Sequence, residues 1–179
     1  MDLIQFAKTY LEVSENTENL RGRGKVTRIS VERLCAGPAI PLLYDFFATR
    51  HPELERTLEK EGHNFNDLTS KIIIKKGLED KDPLCMRVIE KFTEIFGMEV
   101  GNFALKTLSF GGVYLIGGVT MGIEQYLRNN DTFLKNFNMK GRLEKYMKRF
   151  PIYLVKNETN VGLLGAEERA FRILEKLEH

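Results

Sequence analysis

Two glycine pairs in this chain could bring the backbone close to a bound ligand. Gly117 and Gly118 follow the short apolar run "VYLI" and precede sequence that favours a helix. Gly162 and Gly165 open a second helical segment, after the similar run "IYLV". Glycine allows close approach of a ligand, and a helix start offers unpaired N–H groups to a phosphate. The pairs favour a nucleotide-type binding turn, although a tight strand-to-helix turn without a ligand explains a single pair equally well.

Other familiar site patterns are absent from the sequence. The glycine spacing is neither that of a G-x-G-x-x-G dinucleotide turn nor that of a Walker phosphate loop. Cys35 and Cys85 are far apart and lack metal-ligand spacing, and His51 and His63 have no ligand partners nearby in sequence. The basic stretch "LRGRGKVTR" within residues 14–28 reads either as a solvated loop or as a phosphate- or partner-binding loop.

The elements that must position these glycines follow from hydrophobic periodicity. Helical spacing predicts helices over 2–13, over two segments within 52–77, and over a long segment that starts at Asp82-Pro83 and runs to about residue 108. Gly97 and Gly101 interrupt the long helix at a cost of about 1 kcal/mol each, so a neighbour is expected to pack closely there.

A short helix is also predicted near residue 32, with Ser30 as its cap and Glu32 in its first turn. "VYLI" and "IYLV" predict two buried strands, each followed by helix-forming sequence, 121–147 and 162–176. This order favours a parallel sheet with helices on its faces. Two strands do not make a stable sheet, so we expect the remaining strands to come from another part of the protein.

Composition sets the broad class of protein. Hydrophobic residues make up 42% of the 179 residues, which is enough for a packed core. The net charge of +2 favours neither nucleic acid nor a membrane as a partner, and no apolar run reaches the length of about 18 residues that spans a bilayer. With two cysteines and no signal peptide, the sequence predicts a cytoplasmic protein.

Four segments occur together in an order and approximate spacing that is specific. They are "ISVERLCAGPAI", "GNFALKTLSFGGVYLIGGV", "FPIYLV" and "NVGLLGA". On these segments the chain resembles the bacterial-type glucokinase family, within the hexokinase/actin-like ATPase superfamily. The resemblance covers about residues 1–176, yet it corresponds only to the C-terminal half or so of a complete family member.

The resemblance implies an α/β fold, namely an incomplete ribonuclease-H-like large domain of the actin/hexokinase type. That domain would be mostly helical, with about two parallel strands in this chain. Family members transfer the γ-phosphate of MgATP to the 6-hydroxyl of glucose, in a cleft between two domains. By this resemblance Gly117 and Gly118 would lie near the adenosine, Glu32 in "SVERL" would bind sugar hydroxyls, and Gly37 in "CAGPA" would line the cleft on the nucleotide side. Without it, Glu32 reads as a carboxylate at the positive end of a helix.

The departures from the family pattern decide the predicted activity. The phosphate-gripping D-x-G-G-T segment is absent, since no aspartate here is followed by x-Gly, and so is the Asn-Asp pair that supplies the catalytic base. "EGH" at 61–63 does not match the family's sugar-binding E-G-G-H. We therefore expect no catalytic residue and no metal ligand in this chain, which would be part of a glucokinase and inactive alone. The alternatives are a non-catalytic sugar- or nucleotide-sensing regulator with a kinase-like domain, or a structural helical domain.

The resemblance also implies an organisation and a set of partners. Residues 1–176 would form the C-terminal domain portion, with a helical insertion at about 50–80, and 177–179 would be the remnant of an expression tag. The expected ligands are glucose and ATP with Mg²⁺. The expected protein partners are the N-terminal portion of the kinase and a second copy, through helix 83–108 or helix 1–13. Neither nucleic acid nor a membrane is expected.

Overall fold

A computed structural model describes residues 2–15, 28–63, 68–156 and 160–177 of this chain. Helices dominate these residues, and two short strands form a parallel pair. Most of the basic stretch, from Arg21 to Lys25, lies outside the described residues, as does the end of the suspected tag.

The elements follow one another in this order along the chain. They are α1 (Leu3–Glu15), α2 (Glu32–Cys35), α3 (Ala39–Arg50), α4 (Thr57–Lys60), α5 (Ser70–Asp80), α6 (Pro83–Thr107), β1 (Val113–Leu115), α7 (Gly118–Gly122), α8 (Glu124–Asn129), α9 (Thr132–Asn138), a 3₁₀ turn (Gly141–Leu143), α10 (Glu144–Met147), β2 (Ile152–Leu154) and α11 (Val161–Leu177).

The long helix α6 starts where the sequence predicts it. The side chain of Asp82 accepts a hydrogen bond from the backbone N–H of Cys85 at 2.8 Å, and Pro83 occupies the first helical position. Asp82 itself is buried, and its other carboxylate oxygen accepts a hydrogen bond from the hydroxyl of Thr57. The helix ends at Leu108, which adopts a left-handed conformation with φ 49°.

The two glycines inside α6 allow the backbone of α9 to pack against it. A Cβ atom placed on Gly97 would lie 2.5 Å from the carbonyl oxygen of Phe133, and one on Gly101 would lie 2.5 Å from that of Phe137. The predicted close neighbour is therefore confirmed, and it is the backbone of α9. Beside Gly101, the amino group of Lys140 donates a hydrogen bond to the carbonyl oxygen of Met98 at 2.8 Å.

Two hydrophobic clusters lie along α6. Its first half, including Leu84, Val88 and Phe92, packs with α3 and α5. Its second half, including Ala104, packs with α9 and with the inner face of the strands. Burial of large apolar side chains on both sides of one helix fixes the relative positions of the elements around it.

The strands β1 and β2 pair in parallel, with Val113 opposite Ile152 and Leu115 opposite Leu154. Both strands lie where the sequence predicts them, but the expectation that they are buried is wrong for one face. Tyr114 and Tyr153 are 61% and 45% exposed and stack on each other at 5.0 Å. Only the opposite face packs on α6 and α9, because side chains of a strand alternate between its two faces.

One further sequence prediction differs from the structure. Ser30 does not cap α2 through its side chain, because the cap position falls on Val31; the carbonyl oxygen of Ser30 instead accepts the N–H of Arg33 at 3.1 Å. The region 121–147, which the sequence predicts to be helix-forming, holds a series of short helices. Gly122, Asn130 and Gly141 lie at or between the ends of these short pieces, which fits the low helix propensity of glycine and asparagine.

The last helix, α11, is amphipathic but buries none of its residues against the described part of the chain. Leu163, Phe171 and Leu174 on its apolar side are more than half exposed. Within the described ranges, no helix is both long and apolar enough to cross a membrane.

The glycines of α6 generate a stability prediction with an internal control. Gly97→Ala and Gly101→Ala are each expected to lower the free energy of unfolding by about 1–3 kcal/mol, because the new methyl group meets a backbone carbonyl that cannot move aside. Gly165→Ala in α11, where the new methyl group meets nothing within 4 Å, is expected to raise helix stability by up to about 1 kcal/mol. Urea unfolding measures all three. Equal effects at Gly97 and Gly165 would contradict the close contact.

Asp45 on α3 generates a prediction about pH. Burial raises the pKa of Asp45 from 3.8 to about 6; nearby Arg56 lowers it and Glu59 raises it, and Tyr10 also faces this carboxyl. The folded protein therefore binds the proton more tightly than the unfolded chain, so this group favours folding below about pH 4 and loses that contribution as the pH rises through about 6.

Asp45→Asn is accordingly expected to stabilise the protein at pH 8, by about 1–2 kcal/mol after allowance for solvent screening, and to have little effect at pH 4. The free energy of unfolding measured at both pH values checks this. Asp131→Asn, at an exposed carboxylate on the cap of α9, serves as the control. The same gain for Asp45→Asn at pH 4 and pH 8 would show that burial of the charge is not its origin.

Candidate functional site

The turn between β1 and α7 holds the glycine pair Gly117-Gly118 in an open position. Gly117 has φ 103° and ψ 165°, a conformation that is essentially restricted to glycine. Its carbonyl oxygen accepts the N–H of Met121 at 3.1 Å, so it closes the first turn of α7. Gly118 is the first residue of α7, has no such backbone constraint, and would place a Cβ in open space. Backbone geometry explains Gly117, whereas the structure supplies no packing reason for glycine at Gly118.

Gly112, which precedes β1, has a packing role instead. It has φ 126°, and a Cβ there would lie 2.7 Å from the ring of Tyr153. Its missing side chain leaves room for the stacked rings of Tyr114 and Tyr153. Gly112 before the strand is thus explained by packing, whereas Gly117 and Gly118 after the strand face open space.

Gly37 lies beside Val119, the residue that follows Gly117 and Gly118. A Cβ on Gly37 would lie 3.5 Å from Val119 of α7 and 3.6 Å from the hydroxyl of Ser70, the first residue of α5. The Ser70 hydroxyl donates a hydrogen bond of 2.6 Å to the carbonyl oxygen of Gly37. Three segments that are far apart in sequence therefore meet at this point.

Glu32 is exposed at the first residue of α2. Helix α2 is held in place by Leu34, which is buried against Ala7 and Leu42. Because five residues of chain can span at most about 18 Å, Glu32 lies within that distance of Gly37. Its carboxylate has no hydrogen-bond partner in the described part of the chain.

A groove with a volume of about 860 Å³ runs between α5 and the α7–α8 segment. Four side chains give it an apolar interior: Ile74, Leu78, Val119 and Met121. Seven further residues line its rim or its glycine end: Ser70, Lys71, Lys75, Glu79, Gly118, Gly122 and Glu124, with Gln125 beside them. Apolar walls with a few polar groups at the rim are typical of sites for small organic ligands.

Helix α5 is the part of this site that the sequence did not indicate. Its residues fall in the region 50–80, which the sequence analysis assigns to a helical insertion. In the structure α5 forms one wall of the groove, with Ser70 hydrogen-bonded to Gly37 and Ile74 beside Gly122. The available signal was the Thr69 cap, whose side chain accepts the N–H of Ile72 and places the helix start at Ser70.

The glycines of α11 do not join this site. Gly162 and Gly165 are exposed, and neither lines the groove. The side chain of Asn160 caps the start of α11, because its oxygen accepts a hydrogen bond from the backbone N–H of Leu163 at 3.0 Å. Of the two glycine pairs that favour a binding turn in the sequence, only the pair Gly117-Gly118 contributes a residue, Gly118, to the groove.

Comparison with known proteins shows which family this chain belongs to. A sequence model of the glucokinase family matches residues 5–172. This chain belongs to the glucokinase family. It is 36% identical over 158 residues to the glucokinase of Nostoc punctiforme, and 32% identical over 159 residues to that of Synechocystis sp.. The matched region is 83% of this chain in both cases, but only 46% and 44% of those two glucokinases.

A solved structure supports the assignment of the fold. The crystal structure of a glucokinase from an Antarctic psychrotroph aligns with a TM-score of 0.63 over 90% of this chain and 44% of that one, at 23% sequence identity. The fold is thus of the actin/hexokinase type, mostly helical with two parallel strands in this chain, as predicted. The chain spans less than half the length of the glucokinases that it matches.

The two adjacent glycines generate a prediction that separates backbone strain from ligand access. Gly117→Ala is expected to lower the free energy of unfolding by about 1–3 kcal/mol, because alanine is strained at φ 103°. Gly118→Ala is expected to leave it within about 0.5 kcal/mol, because the added methyl group meets open space at a helix start. Chemical unfolding of the two variants checks this, and a loss at Gly118 equal to that at Gly117 would contradict it.

Proposed function

We propose that this chain is part of an ATP-dependent glucokinase that phosphorylates glucose at its 6-hydroxyl. In this proposal residues 1–176 are the C-terminal domain portion of the enzyme. They supply the wall of the adenosine site, through Gly117, Gly118 and Gly37, and one sugar ligand, Glu32. The residues that grip the phosphates and act as the catalytic base belong to an N-terminal portion of the kinase.

The observation that carries the proposal is the meeting of Gly37, Val119 and Ser70 at one end of an open groove. Family membership supports a kinase-type enzyme. The groove adds a place for a base and ribose, and it is lined by Gly118, one of the glycines that the resemblance assigns to the nucleotide. Glu32 lies five residues before Gly37 in the sequence, and in this proposal the sugar binds on that side, where it can receive a phosphoryl group.

The proposed division of labour follows from the chemistry of phosphoryl transfer. The reaction needs charge stabilisation on the phosphates and a base within hydrogen-bond reach of the attacking hydroxyl. This sequence contains no D-x-G-G-T segment. In this proposal Glu32 is a carboxylate ligand for sugar hydroxyls, and we assign it no proton transfer. The isolated chain would therefore be inactive.

Mg²⁺ would serve the nucleotide phosphates in the assembled enzyme. Among the described residues, no group of three or more His, Cys, Asp or Glu side chains is arranged to hold a metal ion. The carboxylates of the described residues thus do not form a site that fits Mg²⁺, and we derive no step of the reaction through it.

The homodimer expected from the resemblance stays a prediction. Helix α6 presents Phe103, which is 59% exposed, and Met98 on its outer side. Sedimentation of the protein assembled with its N-terminal portion measures whether it is a monomer or a dimer in solution.

The proposed function predicts activity by complementation. The polypeptide that precedes the matched region in the Nostoc punctiforme glucokinase, the relative with 36% identity, would be combined with this chain by co-expression. A coupled assay for glucose 6-phosphate is expected to detect turnover with ATP in the combined sample, and none with either part alone. In the combined sample, Glu32→Gln is expected to reduce kcat/KM for glucose at least ten-fold, because a charged hydrogen bond to the sugar is lost.

The controls separate the possible explanations of this experiment. Glu144→Gln, at another exposed glutamate in the first turn of a four-residue helix, is expected to leave kcat/KM unchanged. Activity of the isolated chain above a mock preparation would overturn the division of labour. Binding of glucose and ATP without turnover by an assembled, folded complex would favour a non-catalytic sensing function instead.

A further inference from the structure

Helix α5 contacts the two segments to which the proposed function assigns ligands. The hydroxyl of Ser70, its first residue, donates a hydrogen bond of 2.6 Å to the carbonyl oxygen of Gly37. One turn further on, Ile74 lies beside α7, where a Cβ on Gly122 would be 3.5 Å from its side chain. The connection between α2 and α3 and the helix α7 thus share one support.

Helix α5 is itself fixed to the core through α6. Ile73 is fully buried, and Gly77 comes so close to α6 that a Cβ there would lie 3.2 Å from the backbone of Cys85. Thr69 caps the helix, because its side chain accepts the N–H of Ile72 at 3.4 Å. A capped and tightly packed helix is a rigid support, so the core sets the position of its first residue.

The connection between α2 and α3, residues 36–38, depends on contacts from outside itself. Helix α2 is only four residues long, and its buried residue is Leu34. A helix of that length has little stability of its own, so tertiary contacts must hold it in place. The carbonyl oxygen of Gly37 also accepts the N–H of Ile40 at 3.1 Å, which ties it to the first turn of α3. The hydrogen bond from Ser70 joins this connection to α5.

The hydroxyl of Ser70 serves this tertiary contact rather than its own helix. Thr69 already caps α5, so the helix start does not need a second hydroxyl. Ser70 is half-buried, and its hydrogen bond to Gly37 joins residues that are 33 positions apart. In this arrangement a Cβ on Gly37 would lie 3.5 Å from the side chain of Val119. The hydrogen bond therefore also sets how closely the connection approaches α7.

We propose that Ser70 is a positioning residue of the kinase: by holding Gly37 against α5, it fixes the segment that carries Glu32 relative to the turn that carries Gly118. This inference rests on the proposed function, in which Glu32 binds the sugar and Gly118 borders the nucleotide. Reacting atoms must approach to about 3–3.5 Å, and a misplacement of about 1 Å can cost about 100-fold in rate. Ser70 acts through Gly37 and makes no contact with either substrate.

Kinetics of the assembled protein, this chain co-expressed with the N-terminal portion, test this role. Ser70→Ala is expected to reduce kcat about ten-fold and to leave the KM values for glucose and ATP within about three-fold, because the groups that contact the substrates remain. Ser70→Thr keeps the hydroxyl and is expected to restore kcat to within about three-fold of the unaltered protein. A raised KM for ATP with kcat unchanged would make Ser70 a ligand contact and overturn the positioning role.

Thr69→Ala is the matched control, because it removes the cap of α5 and leaves the Ser70 hydroxyl in place. Both Thr69→Ala and Ser70→Ala are expected to lower the unfolding midpoint, since each variant loses one hydrogen bond. Thr69→Ala is nevertheless expected to keep kcat within about two-fold, because the contact with Gly37 remains. An equal loss of kcat in the two variants would show that Ser70 has a merely structural role, and would overturn the proposal.

Nuclear magnetic resonance of this chain gives a readout that does not depend on catalysis. The methyl group of Val119 lies close enough to Gly37 for a nuclear Overhauser effect with its α protons. Ser70→Ala is expected to weaken or lose this signal, because the connection is no longer held beside α7. Ser70→Thr and Thr69→Ala are expected to keep it. The same intensity in Ser70→Ala as in the unaltered chain would overturn the proposal.

The outcomes separate this inference from the proposed function. Absence of turnover by the unaltered assembled protein would overturn both. Turnover that is the same with and without the Ser70 hydroxyl would overturn the role of Ser70 alone, while the proposed function stands.

Discussion

The contact between α6 and the backbone of α9 is the constraint on which the rest of the structure depends. Carbonyl oxygens of Phe133 and Phe137 occupy the space that side chains at Gly97 and Gly101 would fill. This contact holds α9 and the inner face of the strands against the second half of α6. The first half of the same helix carries α3 and α5. Since α5 and the β1–α7 turn are the two sides of the groove, α6 sets how far apart they lie.

The spacing of α5 and the β1–α7 turn connects the packing around α6 with the proposed function. The groove joins apolar side chains of α5 and α7 to a polar rim, which is typical of a site for a small organic ligand. In the proposed function the groups that act on the phosphates belong to an N-terminal portion of the kinase. The exposed rings of Tyr114 and Tyr153, and the apolar side of α11, show that this chain leaves apolar surface available for further packing.

Local sequence signals predicted the elements whose ends are marked by a cap residue, a proline or turn residues. Asp82 and Pro83 specify the start of α6 because a side-chain cap and a fixed φ act within one turn. The two strands were predicted for the same reason, since each short β-rich run is bounded by turn residues. Predictions that needed a tertiary neighbour were less reliable. Ser30 has the right chemistry for a cap, but α2 begins one residue later than that role requires, and the strands are open on one face.

For the site, the sequence by itself determined the membership of the family, the glycine turn after β1 and the special backbone of Gly117, because these depend on local residue order. Only the tertiary structure decided that Ser70 bonds to Gly37, that α5 forms a wall of the groove, and that Val119 lies beside Gly37. Those relations join segments separated by more than thirty residues. Packing around α6 brings these segments together, and no local pattern in the sequence encodes which of them meet.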